Sequence, residues 1–272
     1  MHWRVWLIGL VAFSLAGCHN INKILKSSDY EYKLTKANEF FTNKKYLQAQ
    51  TIYEDVMPVF KGTPQYEDIY YNWAFCHYYQ RDYLNAENIF KGFVENFPKS
   101  ARAEECEFLR AYCFYKMSPK VELDQTPSMK AITYLQTFIN THPTSNRNKE
   151  AASIIDALRQ KQERKEFLSA ELYYNLGYYK AAATAFTQLM GNFPDAERSD
   201  EYKLMTIRSW YKYAEMSIPG KQEERFEKVL NECADFVDRF PDSKLLQDVE
   251  RYKALTDNNL KNIKNEQAKA ST

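Results

Sequence analysis

The stretch Tyr83–Pro98, YLNAENIFKGFVENFP, decides the fold. Tyr83, Ala86, Phe90, Phe93 and Phe97 follow one another at steps of three and four, which stacks them on one stripe of an α-helix. Ala86 lets a partner helix come close, and Pro98 ends the helix because it lacks an N–H and clashes with the preceding turn. The stripe returns at the same spacing in Tyr179, Ala182, Phe186, Leu189, Phe193 and Pro194, and again in Ser128, Ala131, Leu135, Phe138, His142 and Pro143. A first copy, Tyr46, Ala49, Tyr53, Val56 and Phe60, lacks the proline, and a fifth, Phe226, Val229, Cys233, Phe236, Phe240 and Pro241, replaces the alanine. Terminal copies of a repeat are expected to drift in this way.

A second amphipathic helix precedes each copy. Ala37, Ala74 and Ala111 recur every 37 residues, and a step of 12 joins Ala37 to Ala49, Ala74 to Ala86 and Ala170 to Ala182. Small residues in both helices and a closing proline resemble the tetratricopeptide repeat (TPR), although the offsets of 37, 45, 51 and 47 exceed its usual period of about 34. The extra length of the third unit falls in SPKVELDQ, residues 118–125, which reads as a loop, with Thr126 as N-cap and Pro127 in the first helical turn. No Pro or Gly interrupts Arg147–Leu176, which predicts one helix of about 45 Å joining repeats three and four rigidly. Asp242 or Ser243 is placed to cap a last helix with Leu245, Val249, Tyr252 and Leu255 on one face, and residues 265–272 read as frayed. The expected fold is all-α, a right-handed α-α superhelix of about five TPR-like hairpins closed by a C-terminal capping helix.

Composition excludes other classes. Seven glycines in 272 residues are too few for a Rossmann domain, a P-loop or a β-sandwich. Twenty-one Tyr, 17 Phe and 4 Trp exclude a disordered chain. With 37 basic and 36 acidic residues the net charge is +1, so no nucleic acid partner is implied.

Residues 1–17, MHWRVWLIGLVAFSLAG, form a secretory leader: one early base, an apolar run, then small residues. Leu15, Ala16, Gly17 and Cys18 resemble the lipobox of bacterial lipoproteins, which implies cleavage and a lipid on Cys18. His19 stands where the inner-membrane retention signal has Asp, so the outer membrane is expected, and without an acidic cluster after Cys18 its periplasmic face. The expected division is the leader (1–17), lipidated Cys and polar tether (18–28), repeats one to three (29–144), repeats four and five (145–242), and a terminal helix and tail (243–272). Residues 19–28 would span about 33 Å fully extended.

No enzyme signature is present: His2, His19, His77 and His142 have no metal-ligand spacing, and HExxH, GxSxG, Walker and CxxC motifs are missing. No catalytic residue, metal or cofactor is therefore expected beyond the covalent lipid on Cys18. Cys76, Cys106, Cys113 and Cys233 read as buried apolar residues rather than disulfides, since Cys106 and Cys113 lie about 10.5 Å apart along one helix.

The TPR resemblance implies an inner wall built from three places on each first helix. These are Leu34, Tyr71 and Phe108, then Asn38, Phe75 and Tyr112, then Phe41, Tyr78 and Tyr115. Seven of the nine are aromatic, which suits an extended peptide. Leader, tether, five TPR-like units and a terminal helix together resemble the BamD family, the lipoproteins of the outer-membrane β-barrel assembly machinery. That resemblance implies a non-enzymatic scaffold whose N-terminal repeats engage unfolded barrel precursors and whose C-terminal repeats hold the POTRA region of the central assembly subunit, with other assembly lipoproteins as further partners. Arg198, Lys203, Arg208 and Lys212 are the candidate partner contacts, although such charges also suit a solvated face. No diagnostic single-residue motif of the family can be placed, so the groove residues come from repeat geometry. Two other readings fit the same leader: a TPR lipoprotein of cell-envelope or pilus assembly, and an envelope enzyme acting on peptidoglycan.

Overall fold

The computed structural model of the chain describes residues 21–270. After a helical turn at residues 21–25 come α1 (Tyr30–Thr42), α2 (Tyr46–Phe60), α3 (Gln65–Tyr79), α4 (Tyr83–Asn96), α5 (Ala103–Met117) and α6 (Thr126–Thr141). They are followed by α7 (Asn148–Asn175), α8 (Tyr179–Asn192), α9 (Ser199–Glu215), α10 (Pro219–Arg239) and α11 (Leu246–Ala270). Among the described residues there is no strand. Consecutive helices pack as hairpins, as the five-fold stripe requires, and the fold is an all-α solenoid of TPR type.

The stripes face the core. Ala86, Phe90 and Phe93 are fully buried, as are Ala131 and Leu135, Ala182, Phe186 and Leu189, and Val229 and Phe236. Each stripe ends where the prolines demand: Phe97, His142, Phe193 and Phe240 leave the helical region, with φ between −124° and −130°, because the following Pro disfavours it. The backbone N–H of each still closes the last turn, onto Phe93, Phe138, Leu189 and Phe236 respectively.

Two compact units divide between Leu158 and Arg159, inside α7, rather than at the expected boundary after Thr144. The reason lies in burial. Ala151, Ile154, Ile155 and Leu158 complete the core of the first unit with Phe108, Leu135 and Phe138, whereas Phe167 and Ala170 belong to the second unit's core with Ala182 and Phe186.

Four local expectations are corrected. Ile24 is 3% exposed and packs with Leu34, Ile52 and Phe60, so the polar tether ends before it. Thr126 opens α6 instead of capping it; the preceding Gln125 donates to the carbonyls of Lys120 and Leu123 and accepts from Ser128 Oγ at 2.7 Å. Leu255 is 42% exposed, and the inward face of α11 runs through Val249, Tyr252, Thr256 and Leu260, following the 3.6-residue period one place later. That helix continues to Ala270, with Gln267 donating to Glu223, so fraying does not begin at residue 265. Ser243 stands three residues before α11, in the turn leading into it, where its Oγ accepts from Leu245 N. Cys76, Cys106, Cys113 and Cys233 are buried free thiols.

Candidate functional site: a ring-lined face and its corner brackets

The nine predicted groove residues separate into two sets. Leu34, Phe75 and Phe108 are buried and hold repeats together. Phe41, Tyr71, Tyr78, Tyr112 and Tyr115 are half-buried, and Asn38 is exposed, its Oδ1 accepting from Tyr53 OH at 2.7 Å. The five half-buried rings do not stand alone. Tyr46 stacks on Tyr79 at 4.6 Å, Phe41 meets Tyr46 at 5.8 Å, and Tyr79 meets Phe75 and Tyr78 at 5.5 and 5.6 Å. A second row runs from Phe108 to Tyr112 at 5.7 Å and from Tyr112 to Tyr115 at 5.4 Å. Burial pushes the Tyr78 hydroxyl up to about 12, with the nearby Tyr112 adding to the effect, so it is a neutral hydrogen-bond donor at ordinary pH. Tyr46 and Tyr79 were not among the predicted groove residues. Tyr79 lies one residue beyond the place read from TPR geometry, and Tyr46 opens a second helix rather than a first.

Tyr71 is committed elsewhere. Its hydroxyl donates to Glu105 Oε2 at 2.7 Å, and the Arg102 guanidinium lies 4.6 Å over its ring. Burial, and then the hydrogen bond to Glu105, push that hydroxyl well up.

Arg102 belongs to a device that sequence reading passed over. After the closing prolines the chain reads Pro98, Ser100, Arg102 and then Pro143, Ser145, Arg147, at identical spacing. Ser100 Oγ accepts from Arg102 N and donates to Glu67 Oε1 at 2.7 Å; Ser145 Oγ accepts from Arg147 N and donates to Glu104 Oε1 at 2.5 Å. Ser243 repeats the bracket onto Asp200 Oδ2 at 2.6 Å. Each serine thus ties one corner to the first turn of the preceding hairpin. Arg102 adds a bond to Asp68, and Arg147 lies 4.9 Å over Phe108. At the fourth corner Ala196 takes the serine's place, and Glu163 accepts from Tyr202 OH instead. A cavity of about 410 Å³ opens there, lined by Gln160, Glu163, Arg164, Arg198 and Tyr202.

The predicted partner contacts of the second unit fare unequally. Lys203 is 4% exposed and ion-paired to Glu232 at 2.5 Å and to Asp235, so it is an internal strut and not a contact surface. The sequence could not show this, because an isolated lysine on a charged helix reads as solvated. Arg198 is held by Glu201 at 2.7 Å and lies over Phe167 at 4.8 Å. Lys212 pairs with Glu215 at 2.8 Å, and that bond raises its pKa. Arg208 reaches Asp248 at 3.9 Å and leaves its buried Nε without a partner. An exposed apolar patch lies elsewhere on this unit. A cavity of about 650 Å³ is lined by Tyr173, Tyr178, Tyr179, Ala185 and Tyr213, and Leu172, Leu176 and Tyr178 beside it are each more than half exposed.

Burial pushes the thiols of Cys76, Cys106, Cys113 and Cys233 up to about 12, which keeps them protonated and unreactive. His77 Nδ1 meets Asp82 at 2.9 Å and His142 Nε2 meets Glu107 at 2.7 Å, each bridging neighbouring helices. Among the described residues no cluster of three His, Cys, Asp or Glu could hold a metal, and no helix is long and apolar enough to cross a membrane. Cys18 and the leader lie outside the described residues.

A putative outer membrane protein assembly factor BamD of Aquifex aeolicus (strain VF5) is 26% identical over 118 residues, covering 43% of this chain and 39% of that protein's length. Among solved structures, the TPR2AB-domain:pHSP90 complex of yeast Sti1 aligns at 13% identity with a TM-score of 0.41, over 84% of this chain and 98% of that one. The family model YfiO, described as outer membrane lipoprotein, matches residues 28–224. With most of its repeats inside that match, the chain belongs to the YfiO family of outer membrane lipoproteins.

Proposed function

We propose that this lipoprotein is a non-enzymatic scaffold of outer-membrane β-barrel assembly, held by a lipid on Cys18 at the periplasmic face of the outer membrane. Its first unit takes extended, aromatic-ended segments of unfolded barrel precursors, and its second unit holds the POTRA region of the central assembly subunit, other assembly lipoproteins being further partners. The observation that carries the client half is the pair of ring rows, Phe41–Tyr46–Tyr79–Tyr78 and Tyr112–Tyr115, left half-buried where a solvated wall would carry charges. Rings offer large contact area at small cost in conformational entropy, and their hydroxyls can orient a peptide backbone. For the partner half the support is the exposed apolar surface around Tyr173, Leu176 and Tyr178 rather than the cations first considered.

The client half is tested by replacing Tyr78, Tyr79 and Tyr112 together with Ala, leaving the bracketed Tyr71 in place. Titration of a labelled barrel-strand peptide should show affinity falling more than about tenfold while helicity is retained, since hot spots concentrate on aromatic residues. Added salt should matter little, because the contacts are apolar. Equal affinities for two equally helical proteins would move the client site off this face.

A further inference from the structure

The seating of Ile24 changes how the anchor can work. Ile24 is 3% exposed in the core of the first hairpin and Leu25 packs beside it. From there the chain is fixed by Lys26 N bonding Asn22 O, Ser27 N bonding Ile24 O, Asp29 N bonding Ser27 Oγ, and Asp29 Oδ1 capping α1 through Tyr32 N. Only the stretch from Cys18 to Ile24 remains to reach a membrane, and six residues span at most about 20 Å. The 15 residues of α2 give the hairpin a length of about 22 Å. The tether is therefore no longer than the hairpin it holds.

We infer that the turn at residues 21–25 is a clip that apposes one end of the first hairpin to the lipid surface holding the acyl chains. This is the end where α1 starts and α2 finishes. For the other end, at Asn43 and Lys44, to touch the bilayer, the clipped end would have to rise a full hairpin length, which uses up the whole reach of the tether. The apposed end suits an interface: Tyr30 and Tyr32 are 38% and 41% exposed and Val59 is 50% exposed. Its bases Lys23, Lys26 and Lys61 are offset by Asp29, Glu31 and Asp68, so the apposition is set by tether length and these apolar groups and is insensitive to salt. The clip rests on lipidation of Cys18, which the experiment reads separately.

The lipidated protein is reconstituted into phospholipid vesicles that carry a headgroup acceptor dye, with a fluorophore placed on Thr63→Cys or on Asn43→Cys. The native thiols do not compete, being buried and protonated. Energy transfer to the bilayer should be several-fold greater from position 63 than from position 43, at low and high salt alike. Inserting ten Gly/Ser residues between Asn20 and Ile21, which leaves the core untouched, should bring the two positions to similar transfer, and Ile24→Asp should act in the same direction. Equal transfer from both positions in the unaltered protein, or a difference that survives the insertion, would overturn the clip. Incorporation of labelled palmitate and flotation with the vesicles report the anchor itself: their absence defeats lipidation, whereas their presence without the positional difference defeats only the clip.

Discussion

The second repeat and the two terminal repeats solve one packing problem differently. At a single pair of places, one on the first helix of the hairpin and one facing it on the second, repeat two puts Tyr70 against Gly92, where an added Cβ would collide with the Tyr70 hydroxyl. Repeats one and five put Lys33 with Asp55, at 2.7 Å, and Lys203 with Asp235. Inside the stack the ring is continuous with others: Tyr70 stands edge-on to Tyr66, Trp73, Phe93 and Phe97. In the terminal repeats the lysines are only 4–5% exposed, but Asp55 and Asp235 keep 37% and 48% of their side chains in solvent. Half-hydrated carboxylates relieve much of the desolvation that makes a fully buried ion pair unfavourable. The hairpin frame thus fixes the geometry of the contact and leaves its chemistry to the neighbours.

The largest effects should come from the frame itself, which both units share. Ala86→Trp in the first unit and Ala182→Trp in the second force a ring into fully buried helix contacts, and each should cost about 3 kcal/mol or more. The exposed Lys99→Ala should be nearly silent. Urea unfolding followed by circular dichroism checks this, and an unaffected Ala182→Trp would mean the stripe of α8 is not a packing face.

The contact's chemistry should come next. Lys203→Met strands Glu232, which is only 21% exposed, and leaves Asp235 with Arg239 at 3.7 Å, and should cost about 2 kcal/mol. Lys33→Met strands only the more hydrated Asp55 and should cost about 1 kcal/mol. A reversed order in urea midpoints would show that partner hydration does not set the cost. Gly92→Ala should also lose about 1 kcal/mol, since the clash with Tyr70 outweighs the helix propensity gained. Combining it with Tyr70→Phe, which removes the colliding hydroxyl, should recover most of the loss. Failure of that rescue would point to backbone strain in α4 instead.

How much of this was legible in the sequence follows from how local each feature is. The stripe from Tyr83 to Pro98 carries its own period and its own stop, so five hairpins and the inward faces of Ala86, Phe90 and Phe93 could be read directly. The groove was legible by halves: spacing places Tyr78 and Tyr112 on a first-helix face, but whether a ring there stays open or is buried, as Phe75 and Phe108 are, depends on the next repeat's side chains. Ile24 and Lys203 were misread for a shared reason. A short apolar pair, Ile24 and Leu25, in a polar stretch and a lysine on a charged helix are given their environment by partners tens of residues away, Phe60 for the one and Asp235 for the other. The corner brackets were legible in principle, since Pro, Ser and Arg recur at equal spacing, yet their purpose shows only when Ser100 meets Glu67.

The smallest predicted effect sharpens the difference between corners. Ala196 stands where Ser100, Ser145 and Ser243 form brackets, and Glu163, which takes the place of Glu67 and Glu104, accepts from Tyr202 OH. Ala196→Ser would give Glu163 a second donor, and a net hydrogen bond is worth about 0.5–1.5 kcal/mol. Since Tyr202 already satisfies one lone pair, the gain in the unaltered chain should sit at the lower end, about 0.5 kcal/mol. In a Tyr202→Phe background the carboxylate loses that donor, and the same substitution should stabilise by about 1 kcal/mol. Ser100→Ala, the reverse change at an intact corner, should cost a similar amount. Urea unfolding of the four combinations at positions 196 and 202 reads the coupling directly. A serine with no effect even beside Phe at position 202 would mean that the fourth corner is shaped by Arg164 and Arg198 around their cavity and not by a missing bracket.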